Sequence, residues 1–259
     1  MFSLPAYLAR LNYTGPTEPT LETLCAIHRQ HLLTVPFENL DIHLGRKIIL
    51  DEDHLFDKIV NQRRGGYCYE LNGLFAVALC TLGFNVTLLS AGVWNGSRFG
   101  PQADHLCLLI QLAEPWLADV GFGDCALEPL RLNDSNEQPR GPHRSYRLDP
   151  DGDNSYIMYE RLEVSEWVKG YRFSLQPLQL YDFTFGNHYK QTSPDTHFTQ
   201  KRICTRATLT GRLTLSDFKF IQTIEGQRTE RVMANETEWH SVLKEYFDIV
   251  FGKETLVNK

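Results

Sequence analysis

The chain carries a cysteine directly behind two glycines, in the run Arg63-Arg64-Gly65-Gly66-Tyr67-Cys68-Tyr69-Glu70-Leu71-Asn72-Gly73. Behind it the apolar residues repeat with the period of a helix. Leu71, Leu74, Phe75, Ala78, Leu79 and Leu82 share one face, and Gly83 stops the run. Cys68 therefore stands at a predicted helix start. A helix start presents unpaired N–H groups and a partial positive charge, and both favour a thiolate over a thiol. The same N–H groups suit the oxyanion of a tetrahedral acyl intermediate. The plain alternative is a tight turn followed by a buried, inert thiol.

A thiol nucleophile needs a base, and the base needs an orienter. His105 opens the strand-like run HLCLLIQL, whose alternation puts His105, Cys107, Leu109 and Gln111 on one face. Asp119 lies in WLADVGFG, with 116–120 read as the partner strand and Ala113-Glu114-Pro115 as the hairpin turn. That hairpin brings Asp119 beside His105, where a carboxylate fixes the imidazole tautomer and stabilises the imidazolium. His28, His31 and His43 sit in helical or loop contexts without a matching acid and read as structural.

The surrounding elements divide by type. The first third is helical, with Thr20 capping a helix to about Leu33 and Asp51 capping another that buries Leu55, Phe56, Ile59 and Val60. The middle third reads as strands at 86–93, 105–112, 116–120 and 156–164, with a polar loop at 131–144 and a turn at 149–154. The last third has a loop at 186–199 and strands near 203–209, 211–215 and 218–223. It ends in a helix capped by Asn235, with Trp239, Val242, Leu243, Tyr246, Phe247 and Val250 inward. Segregated helices and strands predict an α+β fold.

Apolar residues make up 42% of the chain and charged residues 22%, which excludes a disordered chain. A net charge of -6 argues against general binding to nucleic acid or to an anionic membrane. The six cysteines, Cys25, Cys68, Cys80, Cys107, Cys125 and Cys204, form no C-x-x-C pair and no zinc-like spacing, so no metal is expected. MFSLPAYLARLNY has neither the basic region nor the apolar core of a signal peptide, and no stretch has the length of a membrane span. Free thiols and a cytoplasmic location are the expectation.

These motifs together resemble the arylamine N-acetyltransferase family, prokaryotic type. RRGGYCYELNGLF resembles that family's active-site motif, VPFENLDIHLG at 35–45 the segment that precedes it, and LADVGFG the aspartate-bearing strand, with His105 in between. The resemblance runs nearly the whole length of the chain. It implies a helical bundle over 1–83, a β-barrel over 84–188 and an α/β lid over 189–259. The Cys-His-Asp centre would be built like those of papain-type proteases and transglutaminases.

The resemblance further implies a ping-pong reaction. Cys68 takes the acetyl group of acetyl-CoA and passes it to an arylamine, arylhydrazine or N-hydroxyarylamine, with His105 moving protons and Asp119 orienting it. Phe37, Val93, Phe122 and Phe198 would line the amine cleft, and the Gly121-Phe122-Gly123 turn would let CoA approach the backbone at Gly121 and Gly123. Arg64 would pair with Glu38, and Asn72 would hydrogen-bond near the histidine or aspartate. Asp124 and Glu128 place acid where anionic CoA would pass. The same triad would also serve a thiol hydrolase or transamidase, or an amide synthase with a bulkier acyl donor. A binding module with a degenerate centre is disfavoured because all three residues are present.

Overall fold

The computed structural model describes residues 1–163 and 165–251. Val164, the end of one predicted strand, and the final residues of the expected lid lie outside the described residues.

The predicted caps hold. Helix α2 (Leu21–Thr34) starts at Thr20, whose hydroxyl accepts the Thr23 amide at 3.3 Å, and it is preceded by α1 (Leu4–Arg10), a helix capped by Ser3 that was not predicted. A two-residue strand β1 (Phe37–Glu38) and a single turn α3 (Leu40–His43) follow. Asp51 caps α4 (Glu52–Phe56), which continues into a π turn at Asp57–Asn61. Then comes α5 (Cys68–Thr81), buried along almost its whole length. Its end is set by Gly83 at φ +90, a conformation that a side chain disfavours.

The turn leading into α5 is fixed by buried charge. Arg64 Nε donates to Glu38 Oε1 at 2.9 Å, and its Nη2 lies 3.0 Å from Asp41 Oδ1. Lys58 Nζ reaches Asp41 at 2.8 Å and Glu70 at 2.7 Å, and Glu70 in turn accepts the Tyr67 amide at 3.1 Å. The expected Arg64–Glu38 pair is thus one edge of a five-residue network that clamps the backbone on both sides of Gly65-Gly66. Arg64→Met leaves Glu38 and Asp41 buried without that cation, so about 3–5 kcal/mol of stability should be lost. Urea unfolding measures this, and a loss under about 1 kcal/mol would show that the network is dispensable.

Eight antiparallel strands follow: β2 (Asn85–Val93), β3 (His105–Gln111), β4 (Pro115–Ala118), β5 (Leu130–Arg131), β6 (Gln138–Gly141), β7 (Arg144–Pro150), β8 (Ser155–Leu162) and β9 (Val168–Leu178). Their order is β5-β4-β3-β2-β9-β8-β7-β6, and Leu89, Cys107, Leu117, Tyr146, Met158 and Tyr171 pack into one core inside a nearly closed barrel. A second, five-stranded sheet runs β1-β10-β11-β12-β13, from β10 (Ile203–Thr208), β11 (Gly211–Ser216), β12 (Lys219–Ile224) and β13 (Gln227–Val232). Between the sheets lie α6 (Thr184–Thr192) and α7 (His197–Gln200), and α8 (Glu236–Phe247) packs Trp239, Val242, Leu243 and Phe247 on the second sheet. Phe37 pairs with Thr205, so the VPFENL segment of the first third supplies the edge strand of the last.

Several expectations are corrected. The predicted loop at 131–144 contains β6, whose sequence Gln-Pro-Arg-Gly has no alternation; proline is tolerated there because β6 is an edge strand. The predicted loop at 186–199 is mostly α6 and α7. The polar residues of α6 are not solvent-facing filler: Asn187 donates to Ile48 O at 3.0 Å, and Gln191 accepts the Ile48 amide at 2.7 Å. Strands β5, β7, β9 and β13 were not predicted; β13 is exposed along its whole length and so lacks a periodic signal. Val250 is exposed, because Asp248 at φ 59 ends α8 before it. Asp119 stands one residue past the end of β4 rather than within it.

Candidate active site

The start of α5, the open end of the barrel and the second sheet surround a cavity of about 700 Å³. Its wall includes Phe37, Cys68, Val93, His105, Gly121, Phe122, Gly123 and Phe198. Every residue expected at the site is on that wall except Asp119, which lies behind His105.

Cys68 is the first residue of α5 and is 4% exposed. The first intrahelical bonds are those of the Glu70 and Leu71 amides to Tyr67 O, so the Cys68 and Tyr69 amides precede them at the positive end of the helix. His105 is the first residue of β3, opposite Ala91. In the β3–β4 pairing Leu108 faces Ala118, so Asp119 falls diagonally across from His105 on the same face. His105 Nε2 lies 2.7 Å from Asp119 Oδ2. With Nε2 committed to the carboxylate, Nδ1 is the ring nitrogen left to exchange protons.

The carboxylate is fully engaged. Its second oxygen, Oδ1, accepts Asn72 Nδ2 at 2.8 Å and the Gly121 amide at 2.9 Å. Asn72 also donates to Leu106 O at 2.6 Å and accepts the Val120 amide at 2.9 Å, so one side chain of α5 joins β3 to the segment that follows β4. Burial opposes charge on both partners. The pull of Asp119 and Cys68 nevertheless pushes His105 up to about 10. For Asp119, burial is outweighed by His105, Asn72 and the Gly121 amide, and its carboxyl is held below the usual range. Both shifts favour the charged forms, a carboxylate beside an imidazolium.

Gly121 is present because nothing larger fits. A Cβ there would stand 2.8 Å from Cys68 Cα, 2.9 Å from Cys68 O and 2.7 Å from Asn72 Nδ2. Gly121→Ala should push the cysteine and the hairpin apart and slow attack by Cys68 about 100-fold, because misplacement by an ångström has that effect. Stopped-flow release of thiol from an acyl donor measures it. A wild-type rate would mean that the contact relaxes without moving the sulfur.

Sequence reasoning missed three residues. Tyr171, on the unpredicted β9, sits with its ring 5.1 Å from both His105 and Phe122 and shields the imidazole from water. Lys190, on the unpredicted α6, lines the cavity and pairs with Asp104 at 2.9 Å. His28, read as structural, contacts the Asp119 backbone. No local pattern marks any of them, since each acts through an element distant in sequence. The acids flagged beyond the glycine turn are paired: Asp124 with Arg144 at 2.8 Å and Arg212 at 2.9 Å, and Glu128 with Arg140 at 2.8 Å and Arg29. Among the described residues no helix is long and apolar enough to cross a membrane.

A profile of a family described as N-acetyltransferase matches residues 20–256. The arylamine N-acetyltransferase of Escherichia coli K12 is 38% identical over 248 residues, covering 94% of this chain and 87% of that protein. A Salmonella typhimurium relative, named arylamine N-acetyltransferase / N-hydroxyarylamine O-acetyltransferase, is 39% identical over 233 residues, covering 88% and 82%. Among solved structures, the arylamine N-acetyltransferase from Salmonella typhimurium superposes with a TM-score of 0.91 at 35% identity, covering 100% of this chain and 96% of that one. The Mycobacterium marinum arylamine N-acetyltransferase in complex with CoA superposes with a TM-score of 0.88 at 30% identity, covering 95% and 93%.

Proposed function

The chain belongs to the arylamine N-acetyltransferase family, and on that premise we propose that it carries acetyl from acetyl-CoA to an arylamine, arylhydrazine or N-hydroxyarylamine through acetyl-Cys68. The observation that carries this reading is the buried His105–Asp119 pair at 2.7 Å on the same cavity as a cysteine at a helix start.

The Cys68 thiolate attacks the thioester carbonyl, and the negative oxygen of the tetrahedral adduct is held by amides of the first turn of α5. The C–S bond to CoA breaks, and the imidazolium of His105 supplies the proton that CoA takes away. The amine then attacks the acetyl carbonyl, His105 accepts its proton, and the sulfur of Cys68 leaves as thiolate. Asp119 keeps the ring oriented in both halves. An arylamine suits the second half because it is a nucleophile that is largely unprotonated at neutral pH.

Phe37, Val93, Phe122 and Phe198 form the apolar wall against which the aromatic ring packs; the Phe37 and Phe198 rings are 6.3 Å apart. Gly121 and Gly123 let the donor approach the backbone. We read residues 1–83 as the segment that carries the nucleophile, 84–188 as the barrel with its base and acid, and 189–259 as the lid. The cluster inside the barrel and the one under α8 follow this division. The largest cluster instead joins the first segment to Leu106, Leu108 and Ile110 of the barrel and to Phe198 and Ala207 of the lid, and Leu40 and β1 pack with the third segment. All six cysteines are free thiols, which fits a reducing cytoplasm, and the acidic net charge fits a small-molecule enzyme without nucleic-acid or membrane partners.

Intact-mass spectrometry after mixing with acetyl-CoA and no amine tests the proposal. A single acetyl adduct that an arylhydrazine discharges is the expected result. CoA release without an adduct would instead identify a thiol hydrolase, and absence of both would exclude acetyl-CoA as the donor.

A further inference from the structure

We propose that His28 is a positioning residue whose neutral imidazole holds Asp119 against His105. This rests on the reading of Asp119 as the orienter of His105.

The backbone at Asp119 needs an external hold. The barrel ladder stops at Ala118 and resumes only at Leu130, so 119–129 runs outside it. That stretch carries the carboxylate, Gly121, Phe122 and Gly123. His28, on α2 and 1% exposed, ties both ends of its first part. Its Nε2 accepts the Asp119 amide at 3.1 Å, and its Nδ1 lies 3.1 Å from Leu127 O.

The two partners dictate the ring's state. An amide N–H only donates and a carbonyl oxygen only accepts, so one ring nitrogen must accept and the other donate. Only the neutral tautomer with its proton on Nδ1 satisfies both. An imidazolium would turn an N–H toward the Asp119 N–H and lose the tie. Burial, opposed more weakly by these bonds and by Asp119, moves His28 down to about 4, so the ring stays neutral across the working range. Asn72 grips the same segment from α5 by Asp119 Oδ1 and the Val120 amide. Two helices thus fix the carboxylate from two sides, and His28 is the one that fixes its backbone.

The titratable and charged groups facing this arrangement include Arg29 and His31 of α2, Cys68 of α5, His105 and Cys107 of β3, Cys125 and Glu128 beyond the glycine turn, Tyr146 of β7 and Tyr171 of β9. His105 reports on the alignment directly, because its charge depends on Asp119.

The test is an NMR titration of the His105 ring, with the rate of Cys68 acetylation at pH 7, in wild type, His28→Leu, His28→Gln and Asp119→Asn. Leu79→Ala, buried near the far end of α5, is the control for general loss of stability. In His28→Leu the His105 midpoint should fall by about one pH unit, and acetylation should slow about tenfold because the loosened Asp119 no longer keeps the ring in line with Cys68. His28→Gln keeps an acceptor and a donor in one amide and should recover most of both. An unshifted midpoint in folded His28→Leu, or an equal shift in Leu79→Ala, would overturn the assignment. If Asp119→Asn itself leaves the midpoint in place, the reading of Asp119 falls and the role of His28 with it. If Asp119→Asn moves the midpoint and His28→Leu does not, the role of His28 falls alone.

Discussion

Replacing Cys68 by alanine should remove the acetyl adduct entirely and lower acetyl transfer by about 10⁵-fold or more, the scale seen when a covalent nucleophile is deleted. The effect is large because Cys68 is the one cysteine among the described residues that line the cavity. Cys107, Cys125 and Cys204 are all buried, and burial pushes each of these thiols up, away from the reactive form. Alanine suits a helix interior and loses only a sulfur, so the fold should survive. The substitution therefore separates chemistry from stability. The checks are intact mass after acetyl-CoA, steady-state turnover, and thermal unfolding of the same sample. An adduct that persists in Cys68→Ala would place the nucleophile elsewhere.

Asp119→Asn should slow acetylation of Cys68 by roughly 10³–10⁴-fold, the loss that accompanies a trapped wrong tautomer in such triads. The surroundings determine how the new amide must sit. The Oδ1 site accepts from Asn72 Nδ2 and the Gly121 amide, so the asparagine oxygen has to stay there. Its NH₂ group then faces His105 Nε2, which must become an acceptor. The imidazole proton moves to Nδ1, and the ring can no longer accept a proton at that nitrogen. The loss of charge acts in the same direction. His105 is held up near 10 against its burial largely by Asp119, so in the variant its pKa falls and the imidazolium population at neutral pH falls with it. Nitrogen-detected NMR would identify the tautomer, and single-turnover kinetics would give the rate. A rate within tenfold of wild type would mean that Asp119 is a structural acid only.

The two substitutions differ in what they leave behind. Cys68→Ala removes the covalent step, whereas Asp119→Asn leaves the sulfur and disturbs the group that serves it. A donor with a better leaving group than CoA should recover part of the rate in Asp119→Asn, since it needs no proton, and none in Cys68→Ala.

Local pattern in the sequence marks the candidate nucleophile, its base and the elements beside them. The Gly-Gly turn, the helical period from Leu71 to Leu82 and Gly83 place Cys68 at the first residue of α5, because helix start and stop are set by local backbone preferences. The runs HLCLLIQL and WLADV mark the hairpin, because alternation and a short turn are also local, although Pro115, read as part of the turn, stands in β4 and pairs with Gln111. Other features were decided only by the tertiary structure. Polar α6 is helical because Asn187 and Gln191 find Ile48, more than a hundred residues away. Edge strand β13 forms by pairing with β12 and shows no buried face in its sequence. The pairing of β9 with β2 brings Tyr171 onto His105, and α2 brings His28 onto Asp119. Local pattern reports what a segment does with its own backbone, whereas the surroundings of a buried carboxylate and imidazole are set by whichever distant side chains satisfy their remaining hydrogen bonds.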